Sequence, residues 1–110
     1  MTGPGLHDRN EGSAGLNNLG TLRARLDDID KRLLGTLGER IFCCMQIAEF
    51  KRQSGVPMMQ SHRVGLVHQN AARYGEEQGI SQDFLRRLYE VIIEETCRLE
   101  DLVIGGVLAV

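Results

Sequence analysis

The chain has 110 residues, enough for one domain, with 5% aromatics, no Trp and a formal net charge of −2. That balance excludes a general nucleic-acid binder, which needs a basic surface. The three cysteines, with Cys43 and Cys44 adjacent, form neither a disulfide framework nor a metal-ligand spacing, so reduced thiols packed as small apolar groups and no metal are expected.

Residues 1–17 are Gly-rich and without period, and a disordered tail is expected there. They contain no apolar core of a signal peptide. The longest apolar tract, Val103 to Val110, is too short to span a bilayer. A cytoplasmic protein with no membrane contact is expected.

A long helix begins between Leu16 and Leu22. Its apolar positions Leu22, Leu26, Ile29, Leu33, Leu37, Ile41, Cys44 and Ala48 recur at steps of three and four, the helical period. Gly35 and Gly38 each cost it about 1 kcal/mol relative to Ala. Gly55 and Pro57 end it near Ser54. At about 1.5 Å per residue such a helix approaches ~50 Å, too long to bury its stripe inside one small globule, so dimerisation through it is expected.

Residues 55–60 form a connection. A second helix is expected from Ser61 to Gln78, with Val64, Val67, Ala71 and Tyr74 on one face and Gly79 at its end. Ser81 caps a third, with Asp83 in its first turn. Phe84, Leu88, Val91, Ile92, Leu99 and Leu102 form its apolar stripe, and Gly105 and Gly106 stop it. The fold class is all-α: one long helix, two shorter ones and no strand pattern. A helical domain over 18–104 is flanked by the tail and by a C-terminal tail over 105–110.

The informative residues are cations at the edge of an apolar face. Arg40 and Lys51, eleven residues apart, fall within roughly 20° of each other on the helix, about 16 Å apart along its axis. Both border the Ile41/Cys44/Ala48 stripe. Arg23 lies about 100° round from Arg40 and could serve such a site only from the other subunit of an antiparallel dimer. Taken singly, each cation has an ordinary alternative as a solvated helix charge, Arg23 beside Asp27 for instance. Spacing alone supports a helical dimer with an anion site.

The segment Leu22-Arg23-Ala24-Arg25-Leu26-Asp27-Asp28-Ile29-Asp30-Lys31-Arg32-Leu33-Leu34, then Glu39-Arg40 and Ile47-Ala48-Glu49-Phe50-Lys51, resembles the first helix of the all-α chorismate mutases. Val56-Pro57 leading to Arg63, and Leu88-Tyr89-Glu90-Val91-Ile92-Ile93-Glu94-Glu95, resemble the following connection and helices. The resemblance spans about residues 19–104. It implies an intertwined helical homodimer that rearranges a small dianionic substrate without a cofactor. It also implies that Arg40 and Arg63 hold the carboxylates, with Arg23 supplied by the partner subunit. Lys51 would bond the ether oxygen, with Glu100 facing it across that oxygen. Gln60, Val64 and Thr96 would line the ring side. The chemistry suits those residue types: the diaxial conformer must be held in place, and negative charge grows on the ether oxygen. Arginine forks fit carboxylates, and lysine fits a single oxygen.

Two departures stand out. Many chorismate mutases carry an acid where this chain has Val64, and Gln60 likewise replaces an acid. The runs Gly55-Val56-Pro57-Met58-Met59-Gln60 and Glu95-Thr96-Cys97-Arg98-Leu99-Glu100-Asp101-Leu102-Val103 look more like the 4-amino-4-deoxychorismate mutases of antibiotic pathways. That substrate is expected ahead of chorismate. The other readings are chorismate to prephenate in aromatic amino acid synthesis, an isochorismate pyruvate-lyase, and a non-catalytic helical interaction module. Met58 and Met59 read equally as pocket lining and as core-closing loop. His62 and His68 are expected on the solvated surface.

Overall fold

The computed structural model describes residues 18–55 and 61–110. Among them the protein is all-helical: α1 (Leu19–Ser54), α2 (Ser61–Gln78) and α3 (Gln82–Ile104). Met58, Met59 and Gln60 lie outside the described residues. The chain divides into two units at the Glu39/Arg40 junction.

The described part of the first unit is the N-terminal stretch of α1. Asn18 starts it: the Thr21 backbone N–H donates to Asn18 Oδ1 at 2.7 Å, satisfying one of the donors that a helix start leaves open. Its apolar stripe is uncovered, with Leu22, Leu26, Ile29 and Leu33 at 49%, 55%, 40% and 62% exposure.

The second unit holds the rest of α1 together with α2 and α3. α2 and α3 form an antiparallel hairpin, and two glycines make their junction. Gly79 takes φ 72°, and the Ile80 N–H bonds the Gly75 carbonyl at 2.9 Å, a closure that only a left-handed residue allows cheaply. At Gly75 a Cβ would stand 2.7 Å from the Ile80 oxygen and 3.1 Å from Leu85 Cδ1. Ser81 then caps α3, its hydroxyl accepting from the Phe84 N–H at 3.1 Å. α1 ends at Gly55, φ 75°, as its position before Pro57 predicts.

Among the described residues the buried apolar side chains are small: Ala48, Ala71 and Val103. Phe84, Leu88, Val91 and Tyr74, expected in helix stripes, are 49%, 40%, 62% and 55% exposed. Their spacing is that of an apolar face, but among the described residues nothing covers it. The ion pairs Arg52–Glu49, Arg86–Asp83, Arg86–Glu90, Arg87–Asp83 and Arg98–Glu95 all join residues one turn apart on a helix surface, where such pairs add little stability.

Candidate active site

The three helices of the second unit surround a cavity of about 160 Å³ lined by Arg40, Cys44, Ile47, Lys51, Arg63, Val64, Val67, Ile93, Thr96, Cys97 and Glu100. α1 contributes Arg40, Cys44, Ile47 and Lys51, at steps of four, three and four, so one stripe carries a cation at each end. α3 contributes Ile93, Thr96 and Glu100 by the same spacing. α2 adds Arg63, Val64 and Val67 from its first turns. Of the eight residues singled out in the sequence, Arg40, Lys51, Arg63, Val64, Thr96 and Glu100 therefore line one cavity. Arg23 belongs to the first unit and is not among the lining residues. Gln60 lies outside the described residues.

The polar residues of α3 are set into the wall. Thr96 is 5% and Glu100 9% exposed. The Thr96 hydroxyl donates to the Ile93 carbonyl at 3.1 Å, which fixes its rotamer. Burial pushes the Glu100 carboxyl above its ordinary range, while Lys51 and Arg40 pull it back and Asp101 adds to the rise. Desolvation dominates because the charged form loses more hydration than the cations return. Glu100 can thus be a hydrogen-bond donor at a pH where an exposed glutamate is an acceptor only.

The cysteines were not foreseen as site residues. Cys44 and Cys97 both line the cavity, and Cys43 is exposed. Burial raises both lining thiols, with nearby Glu100 adding to each. They are protonated at neutral pH and offer no thiolate nucleophile. The available sequence signal was their place in the stripes: Cys44 is one turn from Arg40, and Cys97 adjoins Thr96.

A second concavity of about 450 Å³ shares Arg40, Arg63 and Val67 and adds Asn70, Tyr74, Leu85, Leu88 and Tyr89. A larger one, about 570 Å³, lies between α2 and α3 and includes His68, Gln82, Asp83, Arg86 and Glu90. Size does not make it the site. Its arginine is already neutralised by Asp83 and Glu90. The expectation of a solvated His68 is corrected here: the residue is half-buried, and its Nδ1 is shielded with no hydrogen-bond partner. His68 falls one turn from both Val64 and Ala71, inside the α2 stripe. Among the described residues no cluster of three or more His, Cys, Asp or Glu could hold a metal. No described helix is long and apolar enough to cross a membrane.

The cavity gathers three cations, Arg40, Lys51 and Arg63, and one raised carboxyl, Glu100, from three helices. Residues 22–101 match the family Chorismate mutase type II, and the chain belongs to that family of isomerases. It is 53% identical over 89 residues to a 4-amino-4-deoxychorismate mutase of Streptomyces pristinaespiralis, covering 81% of this chain and 69% of that protein. A 4-amino-4-deoxychorismate mutase of Streptomyces venezuelae is 51% identical, with 81% and 86% covered. A chorismate mutase of Methanocaldococcus jannaschii is 22% identical, with 77% and 86% covered. No solved structure matches the chain at a significant level.

Proposed function

We propose that this chain converts 4-amino-4-deoxychorismate to 4-amino-4-deoxyprephenate by a Claisen rearrangement. The observation that carries the reading is the convergence of Arg40, Lys51, Arg63, Thr96 and Glu100 on one cavity. The two Streptomyces relatives support the amino substrate. In this reaction the ether C–O bond breaks as a C–C bond forms within one molecule, so no atom or electron is exchanged with the protein. Arg40 and Arg63 bind the carboxylates and select the diaxial conformer, which removes much of the entropic barrier. Lys51 donates to the ether oxygen, where negative charge develops. Glu100, protonated, donates to the same oxygen from α3. Val64 and Thr96 line the ring side, the side to which the family resemblance also assigns Gln60.

We further infer a cytoplasmic homodimer in which Arg23 of each protomer completes the other's site. The uncovered stripe Leu22, Leu26, Ile29 and Leu33 supports it, because a soluble chain rarely leaves so continuous an apolar row in water. Residues 1–17 and 105–110 are read as tails outside the catalytic domain.

The test is initial rate on 4-amino-4-deoxychorismate and on chorismate side by side, with products identified by mass. A clear kcat/KM preference for the amino compound is expected. A preference for chorismate giving prephenate would replace the substrate assignment and leave the chemistry intact. Release of pyruvate from isochorismate, or no turnover at all, would overturn the mutase reading. Lys51→Ala is expected to lower kcat by about 10²–10³-fold, a loss that a non-catalytic interaction module would not register.

A further inference from the structure

Arg40 differs in its partners from four arginines of the helix surfaces. Arg52, Arg86, Arg87 and Arg98 are each paired with a carboxylate. Among the described residues Arg40 forms no such pair. Its Nη1 donates to Cys44 Sγ at 3.9 Å, and its Cζ lies 5.6 Å from the centroid of the Tyr89 ring. One neighbour is a weak sulfur acceptor and the other a π face, and neither carries charge. Tyr89 stands on α3 one turn before Ile93, at the start of the stripe that ends in Thr96 and Glu100. It lines the adjoining concavity, which shares Arg40 and Arg63 with the site.

We propose that Tyr89 is a positioning residue that holds the Arg40 guanidinium ready for a substrate carboxylate without neutralising it. The inference rests on the mutase reading of the site. An acid at this place would fix Arg40 more firmly, but the substrate would then have to displace it. The ring quadrupole attracts the cation and occupies none of the N–H donors of the fork, which stay available for two parallel bonds to a carboxylate. Holding a long side chain in its binding geometry beforehand also removes part of the ordering cost of association. The phenol hydroxyl has no part in this, so the aromatic face is the feature that matters.

The test compares Tyr89→Phe and Tyr89→Leu, each in the wild-type and Arg40→Ala backgrounds, by kcat and KM on the preferred substrate. Tyr89→Phe is expected to stay within about twofold of wild type, since Phe also presents a π face. Tyr89→Leu is expected to lose about 3- to 30-fold in kcat/KM, the usual range of a cation–π contact, with most of the loss in KM. In the Arg40→Ala background Leu should cost nothing further. Equal losses for Phe and Leu, or an undiminished Leu loss without Arg40, would overturn the proposal. A second readout needs no turnover: the Arg40 guanidinium N–H resonance should be ring-shifted upfield in wild type and Tyr89→Phe, and unshifted in Tyr89→Leu. An unshifted wild-type resonance would overturn the proposal as well. A shifted resonance in a protein that turns over no substrate would sink the mutase reading while leaving the Tyr89–Arg40 contact standing.

Discussion

At the scale of single residues, Glu100 is a buried acid set into the cavity wall. Its carboxyl is held above the ordinary range by burial, against the pull of Lys51. Two consequences have the same sign. For activity, the proposed mechanism has the protonated acid donate to the ether oxygen, so kcat should fall as pH rises through the Glu100 pKa. Glu100→Gln should flatten that limb and retain most of the low-pH rate; a pH–rate profile of both proteins checks it. For stability, the folded state keeps the proton in a pH range where the unfolded chain has released it. Stability from this group is therefore present below the unfolded pKa and is lost as pH rises through the folded one. Glu100→Gln should raise the melting temperature above that window and leave it nearly unchanged at acid pH, as thermal scans at two pH values would show.

At the scale of elements, the site is a product of helical spacing. Arg40, Cys44, Ile47 and Lys51 on α1 answer Tyr89, Ile93, Thr96 and Glu100 on α3, each at steps of four, three and four. This much was legible in advance: the helix ends at Gly55 and Gly79, the Ser81 cap, and the Arg40–Lys51 line all follow from period and turn chemistry. The cysteines and Tyr89 were not legible as site residues, because a thiol or ring in an apolar stripe reads as packing until a neighbouring helix shows what it faces. The opposite error arose at Phe84, Leu88 and Val91, where period correctly marks an apolar face but cannot say whether this chain itself covers it. The α2–α3 junction gives a paired prediction. Gly75→Ala brings a methyl against the Ile80 carbonyl and Leu85 and should cost about 1–3 kcal/mol. Gly65→Ala, in the same helix with nothing within 4 Å of the added carbon, should stabilise by about 0.5–1 kcal/mol. Urea titrations of the two variants separate close approach from helix propensity.

At the scale of the whole molecule, the inferred exchange of Arg23 between protomers has a direct genetic signature. Arg23→Ala and Arg40→Ala should each be nearly inactive alone. Mixed and refolded together, they should form heterodimers in which one site draws Arg40 and Arg23 from the two unmutated positions. Random reassortment of a two-fold dimer then restores about one quarter of wild-type activity. Recovery near zero would place Arg23 outside the site or the site within one chain.

The smallness of the buried apolar core among the described residues, two alanines and a valine, carries a consequence for how the protein behaves on dilution. Such residues cannot offset the conformational entropy of ordering three helices. In the homodimer inferred above, a second chain would supply much of the favourable burial, and folding would become a two-body event governed by mass action. Its melting temperature should climb with protein concentration, and specific activity should decline below the dissociation constant of the pair. For such a protein, the amount a cell makes sets how much of it is folded.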